Sequence, residues 1–315
     1  MQGVLEFMTA LTQSPENFFA KIIAYCHKSY RAMVSNPKLF VMRKLARFEV
    51  IRNCISYGYG FFNKSDKVNS DRVSVFKDIN VDQINLSLKN DGYALDINLP
   101  DVIVQEILEF SCSETCYANR NPAVGFHYHE RAKVEASFGN KFRLGSYFEA
   151  AHCRAIKNLE SDPELLAIAA KFLGTIPIHM ATELWWSFPT ATTPLEQLKA
   201  AQVFHYDMDD YRFIKFFFYL TDVDLLSGPH VCIRGSHINK KFSHQLIGVR
   251  CASKEDTEIV NYYGSENVVT ICGPAGLGFA EDTYCFHKGS PPTDKERLLL
   301  QIEFAINDYG KIREF

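Results

Sequence analysis

The sequence predicts a mainly β fold of the jelly-roll type with flanking helices and a helical N-terminal region. Residues 1 to about 58 contain few Gly and Pro, and their apolar residues recur at helical spacing. Beyond Gly174 the chain changes to short apolar or aromatic runs that are separated by Gly and Pro clusters. Many short strands with turns between them favour a sandwich or jelly roll over a parallel sheet with crossover helices.

Residues 1–80 are expected to form a basic, helical extension that packs on or beside the core. Within residues 40–55, one stripe is apolar and the basic side chains lie elsewhere on the helix: Leu45, Phe48, Ile51 and Ile55 against Arg43, Lys44, Arg47 and Arg52. This basic character has two interpretations. It is either a solvated face of helices packed on the main domain, or a face for an anionic partner or a membrane surface. The polar residues 63–70 read as a linker or loop.

From residue 81 to residue 315 we expect the main domain. An Asp91-Gly92 turn separates a helix from a short strand, Pro100 opens a second helix, and a third helix runs from Pro163 to Leu173 before Gly174. The predicted strands that follow are Ile178–Phe188, Val203–Tyr206, Arg212–Leu220, His230–Ile233, Val268–Ile271, Gly278–Ala280 and Leu298–Phe304.

Composition narrows the functional class. The chain of 315 residues has a net charge of −3, so no overall field favours nucleic acid or a membrane. Its nine cysteines lack C-x-x-C spacing, which fits free thiols in a reducing compartment. The first 30 residues have no basic start followed by a long apolar run, so no signal peptide is predicted. We therefore expect a soluble cytoplasmic protein.

The most informative pair of residues is His205 and Asp207. On an extended strand their side chains point to the same side, because strand side chains alternate between faces. An imidazole and a carboxylate on one side are two of the three ligands of a 2-His-1-carboxylate triad, which binds non-heme Fe(II). Such pairs are also common on surfaces and in cores, so the prediction needs a third ligand. His287, after a turn-rich segment, is the best candidate.

Three further residues are candidates for contacts with a bound ligand. Arg297 opens an apolar strand, where a guanidinium is costly unless it pairs with an anion such as a carboxylate. Lys215 lies in an aromatic run and either supports a bound carboxylate or extends outward at a strand edge. Trp185 and Trp186 project to opposite faces of a strand, and we take Trp186 as the cofactor contact.

A second cluster, His127-Tyr128-His129-Glu130, also places two imidazoles on one strand face. No later histidine completes a second motif, so polar residues on a loop or at a cleft rim are the favoured interpretation. Residues 187–201, just before His205, contain Pro and Thr and are the predicted lid or substrate loop.

In order and spacing, these segments resemble the phytanoyl-CoA dioxygenase-like family of Fe(II)/2-oxoglutarate oxygenases. The resemblance runs from residue 81 to the C-terminus. It includes Leu88-Lys89-Asn90-Asp91-Gly92-Tyr93, the His205-Tyr206-Asp207 motif, the segment from Ser227-Gly228-Pro229 to Gly235-Ser236-His237, His287 and Arg297. Arg234 and His230 depart from the family's usual Pro and apolar residue. Asp207 is intact, whereas related halogenases have Ala or Gly there, so halogenation is disfavoured.

The resemblance implies a double-stranded β-helix (cupin-like) core with Fe(II), 2-oxoglutarate and O2 as cofactor and cosubstrates. His205, Asp207 and His287 would bind the metal, and Arg297 would bind the far carboxylate of 2-oxoglutarate, with Lys215 and Trp186 as further contacts. The implied reaction is hydroxylation, or another oxidation, of an unactivated C–H in a small-molecule or lipid-like metabolite, releasing succinate and CO2. Desaturation, cyclisation or epoxidation are alternative outcomes. A non-catalytic binding module of the same fold is the other class.

Overall fold

A computed structural model describes residues 23, 26–27, 29–62, 72–191, 193–199, 201–249 and 254–310. The helices from residue 37 onward are α1 (Pro37–Leu45), α2 (Glu49–Phe62), α3 (Val81–Asp91), α4 (Asp101–Ser113), α5 (Arg131–Phe138), α6 (Arg154–Leu159), α7 (Pro163–Leu173), α8 (Pro194–Lys199), α9 (Phe242–Ile247) and α10 (Asp256–Tyr263). The strands are β1 (Tyr93–Ala94), β2 (Thr115–Ala118), β3 (Gly125–His127), β4 (Leu144–Tyr147), β5 (Ile178–Ser187), β6 (Phe213–Tyr219), β7 (His230–Ile233), β8 (Val268–Ile271), β9 (Gly278–Glu281), β10 (His287–Gly289) and β11 (Arg297–Ala305). The predicted linker, residues 63–70, lies outside the described residues.

Two antiparallel sheets form the β core, which confirms the prediction of a mainly β jelly roll with helices. The larger sheet has the strand order β1-β9-β6-β11-β5-β4-β2-β3, and the smaller one has the order β10-β7-β8. Strands distant in sequence are neighbours, as β1 with β9 and β5 with β11. Residue 205 pairs with residue 287, β10 pairs with β7, and Arg297 contacts Gly228, so residues near 205, 230, 287 and 297 lie in one region.

The two faces of the larger sheet pack against different sets of residues, and the side chains of β11 alternate between them. Leu298, Leu300, Ile302 and Phe304 point to one face and pack in a core cluster with residues of the helices, including Leu88 and Leu165. Leu299 points the other way and packs with Phe217, Tyr219 and Phe279. Because β6 and β11 are covered on both faces, they are nearly continuous apolar runs and not alternating ones. We call the Leu299 side the inner face.

Helix boundaries follow the capping signals in the sequence. Asp162 accepts hydrogen bonds from the first backbone N–H groups of α7, and Gly174 ends this helix in the left-handed conformation. Gly92 ends α3 in the same way, with φ +84°. A Cβ atom on Gly92 would overlap the Sγ of Cys285, so this turn also requires Gly for space. The predicted Asp91-Gly92 turn is therefore confirmed.

The N-terminal helices differ from the single stripe that the sequence predicts. Residues 46–48 interrupt the helix between α1 and α2. At the start of α2, the Arg52 guanidinium lies 3.6 Å from the centre of the Tyr284 ring and 3.6 Å from an Asp282 oxygen. Glu49 accepts hydrogen bonds from the backbone N–H groups of Asn239 and Lys240. Part of the basic character of this region therefore serves its packing on the β core.

The strand predictions differ from the structure mainly at the edges of the larger sheet and around residue 205. Residues 203–206 form a single β-bridge at His205 and no regular strand. The short strands β2, β3 and β4, which extend the larger sheet beyond β5, were not predicted because their runs are too short to show periodicity. No helix in the described ranges has the length and apolar character needed to cross a membrane.

Candidate metal centre

His205 and His287 face each other across an antiparallel bridge. The His205 backbone N–H donates to the His287 carbonyl at 3.0 Å, and the His287 N–H donates to the His205 carbonyl at 2.8 Å. The Asp207 N–H donates to the Thr283 carbonyl at 2.8 Å. The two segments are therefore held in fixed register, and directly opposed residues carry their side chains on the same face.

The side chains of His205, Asp207 and His287 converge. The Nε2 atom of His205 lies 3.8 Å from Asp207 Oδ1, and the Nε2 atom of His287 lies 3.5 Å from Asp207 Oδ2. One ligand atom from each residue lies within 4.8 Å of the others. Among the His, Cys, Asp and Glu side chains that the structure describes, these three form the group able to hold a metal ion. The sequence prediction that these residues come together is met by this geometry.

Both imidazoles are oriented by backbone carbonyl groups. The Nδ1 atom of His205 lies 2.9 Å from the Val203 carbonyl oxygen, and the Nδ1 atom of His287 lies 3.0 Å from the Cys285 carbonyl oxygen. A carbonyl oxygen can only accept, so each Nδ1 carries the proton in the neutral ring. The Nε2 lone pairs then point toward Asp207, the arrangement that a metal ion needs.

Electrostatics keep the carboxylate charged and one imidazole neutral. Burial acts to raise the pKa of Asp207, but Lys215 and the two histidines more than offset it and hold this pKa well below its ordinary value. Burial, together with His287, lowers the pKa of His205 to about 4. Burial also acts to lower the pKa of His287, but the Asp207 and Glu281 carboxylates reverse this and raise it. The donor set of one carboxylate and two imidazoles fits a divalent iron.

Tyr206 points away from the centre, as alternation requires. Its ring packs against Tyr284 and Phe286 in a separate core cluster, with ring centres 5.0 and 5.4 Å away. The Lys240 ammonium lies 4.2 Å from the centre of the Tyr206 ring. The residue between the two predicted ligands thus anchors the motif in the core.

Arg297 is buried on the inner face, with a relative exposure of 4%. Its Nη1 donates to the Gly228 carbonyl, and its Nη2 lies 3.4 Å from the Ser187 hydroxyl. Across the described ranges, no group accepts a hydrogen bond from its Nε atom, and the group that favours its charge is the Tyr219 hydroxyl and not a carboxylate. A buried guanidinium without a counter-charge is costly unless an anion completes the site. Gly289 lies beside this guanidinium: a Cβ on Gly289 would be 3.5 Å from Nη2, an ordinary van der Waals contact.

One buried pair next to the centre was missed from the sequence. The Nε2 atom of His230 lies 2.7 Å from a Glu281 oxygen, and Glu281 has a relative exposure of 0%. The His230 ring lies parallel to that of His287, with centres 5.6 Å apart. The sequence did contain one indication of this pair: His230 stands where the resembled family usually has an apolar residue. Its partner could not be identified, because β7 and β9 lie in different sheets.

Lys215 lies on the inner face and contacts carboxylates. Its Nζ atom lies 2.7 Å from Asp207 Oδ2, 2.9 Å from Asp209 Oδ2 and 3.7 Å from Glu303 Oε2. Of the two interpretations from the sequence, outward extension is wrong, because Lys215 is buried. The groups that Lys215 contacts belong to the protein itself.

Trp186 lies on the face opposite to the one its predicted role requires. It pairs with Leu298 across the strands and therefore shares the helix-covered face, where its indole N–H donates to the Tyr147 hydroxyl at 3.1 Å. Trp185 pairs with Leu299 and packs on the inner face. The choice of Trp186 as the cofactor contact is thus corrected, since strand alternation places Trp185 on that side.

Two other predicted features supply none of the three candidate ligands. His127 and His129 are exposed, and Tyr128 between them stacks on Trp186 with ring centres 4.4 Å apart. His127 ends β3 and residues 128–130 form a short 3-10 helix, so these polar residues lie at the surface but not on a loop. The predicted lid, residues 187–201, contains α8, whose Glu196 carbonyl accepts a hydrogen bond from Arg143 at 2.6 Å. Residues 192 and 200 of this segment lie outside the described ranges.

Comparison with solved structures identifies proteins of the same fold. One is HygX from Streptomyces hygroscopicus with nickel and 2-oxoglutarate bound, at 13% identity and a TM-score of 0.51, covering 74% of this chain and 89% of that chain. Another is EvdO2 from Micromonospora carbonacea var. aurantiaca complexed with 2-oxoglutarate, at 13% identity and a TM-score of 0.50, covering 75% of this chain and 96% of that chain. No protein-family model matches the chain, and no curated protein matches it by sequence. At such identities the likeness shows the fold.

Proposed function

We propose that this protein is a non-heme Fe(II)- and 2-oxoglutarate-dependent oxygenase and that His205, Asp207 and His287 bind the iron. The observation that carries the proposal is the convergence of two oriented imidazoles and one ionised carboxylate, with ligand atoms within 4.8 Å of one another. Two nitrogen ligands and one oxygen ligand on one face of an octahedral ion leave three positions open. Two solved proteins of the same fold bind 2-oxoglutarate, one of them with nickel, which supports the proposal.

Arg297 supports the assignment of 2-oxoglutarate as cosubstrate. Its guanidinium is buried, and its Nε atom has no acceptor in the part of the chain that is described. A planar guanidinium binds a carboxylate through two parallel hydrogen bonds, so the remote carboxylate of 2-oxoglutarate would supply the missing counter-charge. Phe217, Phe279 and Leu299 on the inner face would keep water from the space nearby.

When bound, Fe(II), 2-oxoglutarate and O2 supply an oxidant that removes hydrogen from an unactivated C–H, with release of succinate and CO2. The chain's own part is to bind the metal through three side chains, to orient the cosubstrate and to hold the target carbon. We propose hydroxylation of a small-molecule or lipid-like metabolite as the reaction. Desaturation, cyclisation and epoxidation share the hydrogen-removal step. The free thiols of the described cysteines support a cytoplasmic site of action.

The test is spectroscopic and does not need the substrate. Anaerobic addition of Fe(II) and 2-oxoglutarate to the metal-free protein should produce a visible metal-to-ligand charge-transfer band. His205→Ala should abolish the band because one of the three ligands is lost. His152→Ala is the control, since the side chain of His152 is 71% exposed and its Nε2 lies 3.3 Å from the equally accessible Glu149. Absence of the band in the unaltered protein, or its persistence in His205→Ala, would contradict the proposal.

A contact of the N-terminal helices with an anionic partner or membrane surface is a separate proposal. Arg52 binds groups of the core, and Arg47 donates to the Leu246 carbonyl at 3.0 Å. We test this proposal on Arg43 and Lys44, which lie in the last turn of α1. Sedimentation with anionic and with neutral vesicles tests it. Equal binding of the protein and of an Arg43→Ala/Lys44→Ala variant to anionic vesicles would count against this proposal.

A further inference from the structure

We infer that Lys215 is a positioning residue: it holds the Asp207 carboxylate by one oxygen and leaves the other oxygen for the metal. This inference rests on the proposed function, since it assumes that Asp207 is a metal ligand. Lys215 Nζ donates to Asp207 Oδ2 at 2.7 Å, a short charge-assisted hydrogen bond. Asp207 Oδ1 takes no part in that bond and is 3.8 Å from His205 Nε2, whereas Oδ2 also lies 3.5 Å from His287 Nε2.

Side chains of the protein itself accept hydrogen bonds from the Lys215 ammonium. An ammonium group has three N–H donors. One binds Asp207, a second binds Asp209 at 2.9 Å, and Glu303 lies 3.7 Å away on the remaining side. Burial raises the pKa of Glu303 to about 8, so Asp207 and Asp209 supply the negative charge beside the ammonium, and a bound cosubstrate carboxylate would have to displace one of them.

Position along the sheet also separates Lys215 from the proposed cosubstrate site. Lys215 pairs across the strands with Glu303 at one end of β11, whereas Arg297 begins that strand. The backbones of Glu303 and Arg297 are roughly 20 Å apart at about 3.3 Å per residue. The two cations therefore lie at opposite ends of β11. Lys215 takes a role toward Asp207 in place of its sequence-based role as a cofactor contact.

The arrangement around Lys215 fixes it in place. Lys215 and Glu303 are buried, and Asp209 lies at the rim of the inner face with a side chain that is 34% exposed. A buried ammonium needs compensating carboxylates, and these same carboxylates restrict where its Nζ atom can lie. The hydrogen bond to Asp209 thus holds Lys215, with Glu303 3.7 Å away, and Lys215 holds one oxygen of Asp207.

The consequence concerns how many metal positions remain open. A carboxylate that binds through one oxygen, together with two imidazoles, leaves three positions on an octahedral ion. A carboxylate that binds through both oxygens leaves two. A cosubstrate that binds through two atoms, together with oxygen, requires three. Lys215 would keep Asp207 in the first mode by occupying its second oxygen.

The test uses Co(II) as the probe for the metal site, because Co(II) is less readily oxidised by air than Fe(II). Lys215→Met removes the ammonium and keeps an unbranched side chain of similar length. We expect about 10–100-fold weaker Co(II) binding, the usual loss when a residue that orients a metal ligand is removed. In the infrared difference spectrum on Co(II) binding, we expect a smaller separation of the two carboxylate stretching bands, the sign of binding through both oxygens. Lys215→Arg should recover part of the affinity.

Asp210→Asn is the matched structural control. Asp210 neighbours Asp209 but accepts hydrogen bonds from the backbone of Ile306 and Asn307 and from the Tyr309 hydroxyl. The Asp210→Asn variant should have a lower melting temperature, with Co(II) affinity and the infrared bands unchanged. If Lys215→Met does not fold, Asp209→Asn replaces it and should weaken Co(II) binding by a smaller factor.

The outcomes separate the two proposals. Tight Co(II) binding by Lys215→Met with unchanged infrared bands would overturn the role of Lys215 and leave the proposed function standing. Loss of Co(II) affinity in Asp210→Asn equal to that in Lys215→Met would also overturn it, because the effect would then be general destabilisation. Failure of the unaltered protein to bind Co(II) would contradict the proposed function itself.

Discussion

His205 and His287 exchange both of their backbone hydrogen bonds, at 3.0 and 2.8 Å, and their ring centres lie 4.4 Å apart. The imidazoles are therefore placed by direct backbone pairing of the segments that carry them. Their Nδ1 atoms are fixed as well, each by a carbonyl two residues earlier in the chain. A site built in this way is preorganised, so metal binding would need little rearrangement of the protein.

We expect Arg297→Met to weaken the binding of 2-oxoglutarate without affecting that of the metal. Loss of hydrogen bonds to a charged group costs about 1.5–3 kcal/mol, which corresponds to roughly 10–100-fold in the dissociation constant. The measurement is the dissociation constant of 2-oxoglutarate from titration of the Ni(II)-loaded protein.

Ni(II) affinity and the melting temperature serve as the controls for the Arg297→Met measurement. Ni(II) affinity in the absence of 2-oxoglutarate should match that of the unaltered protein, because Arg297 contacts Gly228 and Ser187 and none of the three predicted ligands. The rise in melting temperature on adding 2-oxoglutarate should disappear in the variant. Unchanged 2-oxoglutarate affinity would remove Arg297 from the proposed site.

The sequence could predict relations that depend on local alternation. His205 and Asp207 lie on one side of the backbone and Tyr206 on the other, although this segment forms only a single bridge. For Trp185 and Trp186, alternation gives opposite faces but does not say which face carries the site. That depends on which strand lies beside them, here β11. The wrong choice of Trp186 came from this missing information.

Pairings between strands that are distant along the chain could not be predicted from the sequence. Lys215 is next to Glu281 on one side and Glu303 on the other, and this register follows from a strand order that joins β9, β6 and β11. The same holds for Arg52, whose partners Tyr284 and Asp282 come from the segment before His287. A basic residue on a helix has the same sequence pattern whether it faces solvent or a buried aromatic ring.

We expect Arg52→Met to lower the free energy of unfolding by roughly 2–4 kcal/mol. The change removes a cation–π contact with Tyr284 and a hydrogen bond to the Tyr211 carbonyl at 3.1 Å, and it leaves Asp282 without this cation. Urea unfolding measures it. Lys38→Met on exposed α1 surface is the control and should change the value by less than about 0.5 kcal/mol. Equal effects of the two substitutions would mean that the Tyr284 contact contributes little.

Gly92→Ala should be far more damaging than Gly139→Ala, although both glycines end a helix with positive φ. The left-handed conformation alone costs a non-Gly residue about 1–2 kcal/mol. At Gly139, with φ +73°, an added Cβ meets nothing within 4 Å. At Gly92, with φ +84°, it would overlap the Sγ of Cys285 and approach His237 Nδ1 at 2.7 Å, which adds about 1–3 kcal/mol of overpacking. Melting temperatures of the two variants measure the difference, and equal losses would show that space around Gly92 is not limiting.

His244, whose ring centre lies 5.4 Å from that of Phe286 beside His287, makes stability depend on pH. Burial, and then the charges of Lys240 and Lys241, lower its pKa to about 4 in the folded protein. An unfolded chain has a histidine pKa of about 6.5. Between these values the unfolded state binds a proton that the folded state does not. The stability that neutral, buried His244 contributes is therefore fully present above about pH 6.5. It is lost as the pH falls through about 4, by up to about 1.4 kcal/mol per pH unit.

His244→Gln should reduce this pH dependence. The glutamine does not titrate, so the free energy of unfolding, measured by urea at pH 7 and pH 5, should fall less in the variant than in the unaltered protein. Only the difference between the two pH values matters, because the substitution also changes packing beside Tyr263, whose hydroxyl lies 3.1 Å from His244 Nδ1. His152→Gln, at an exposed position, should keep the full dependence. An equal fall with pH in His244→Gln and the unaltered protein would mean that other groups carry the effect, among them the buried His230, whose pKa burial also lowers.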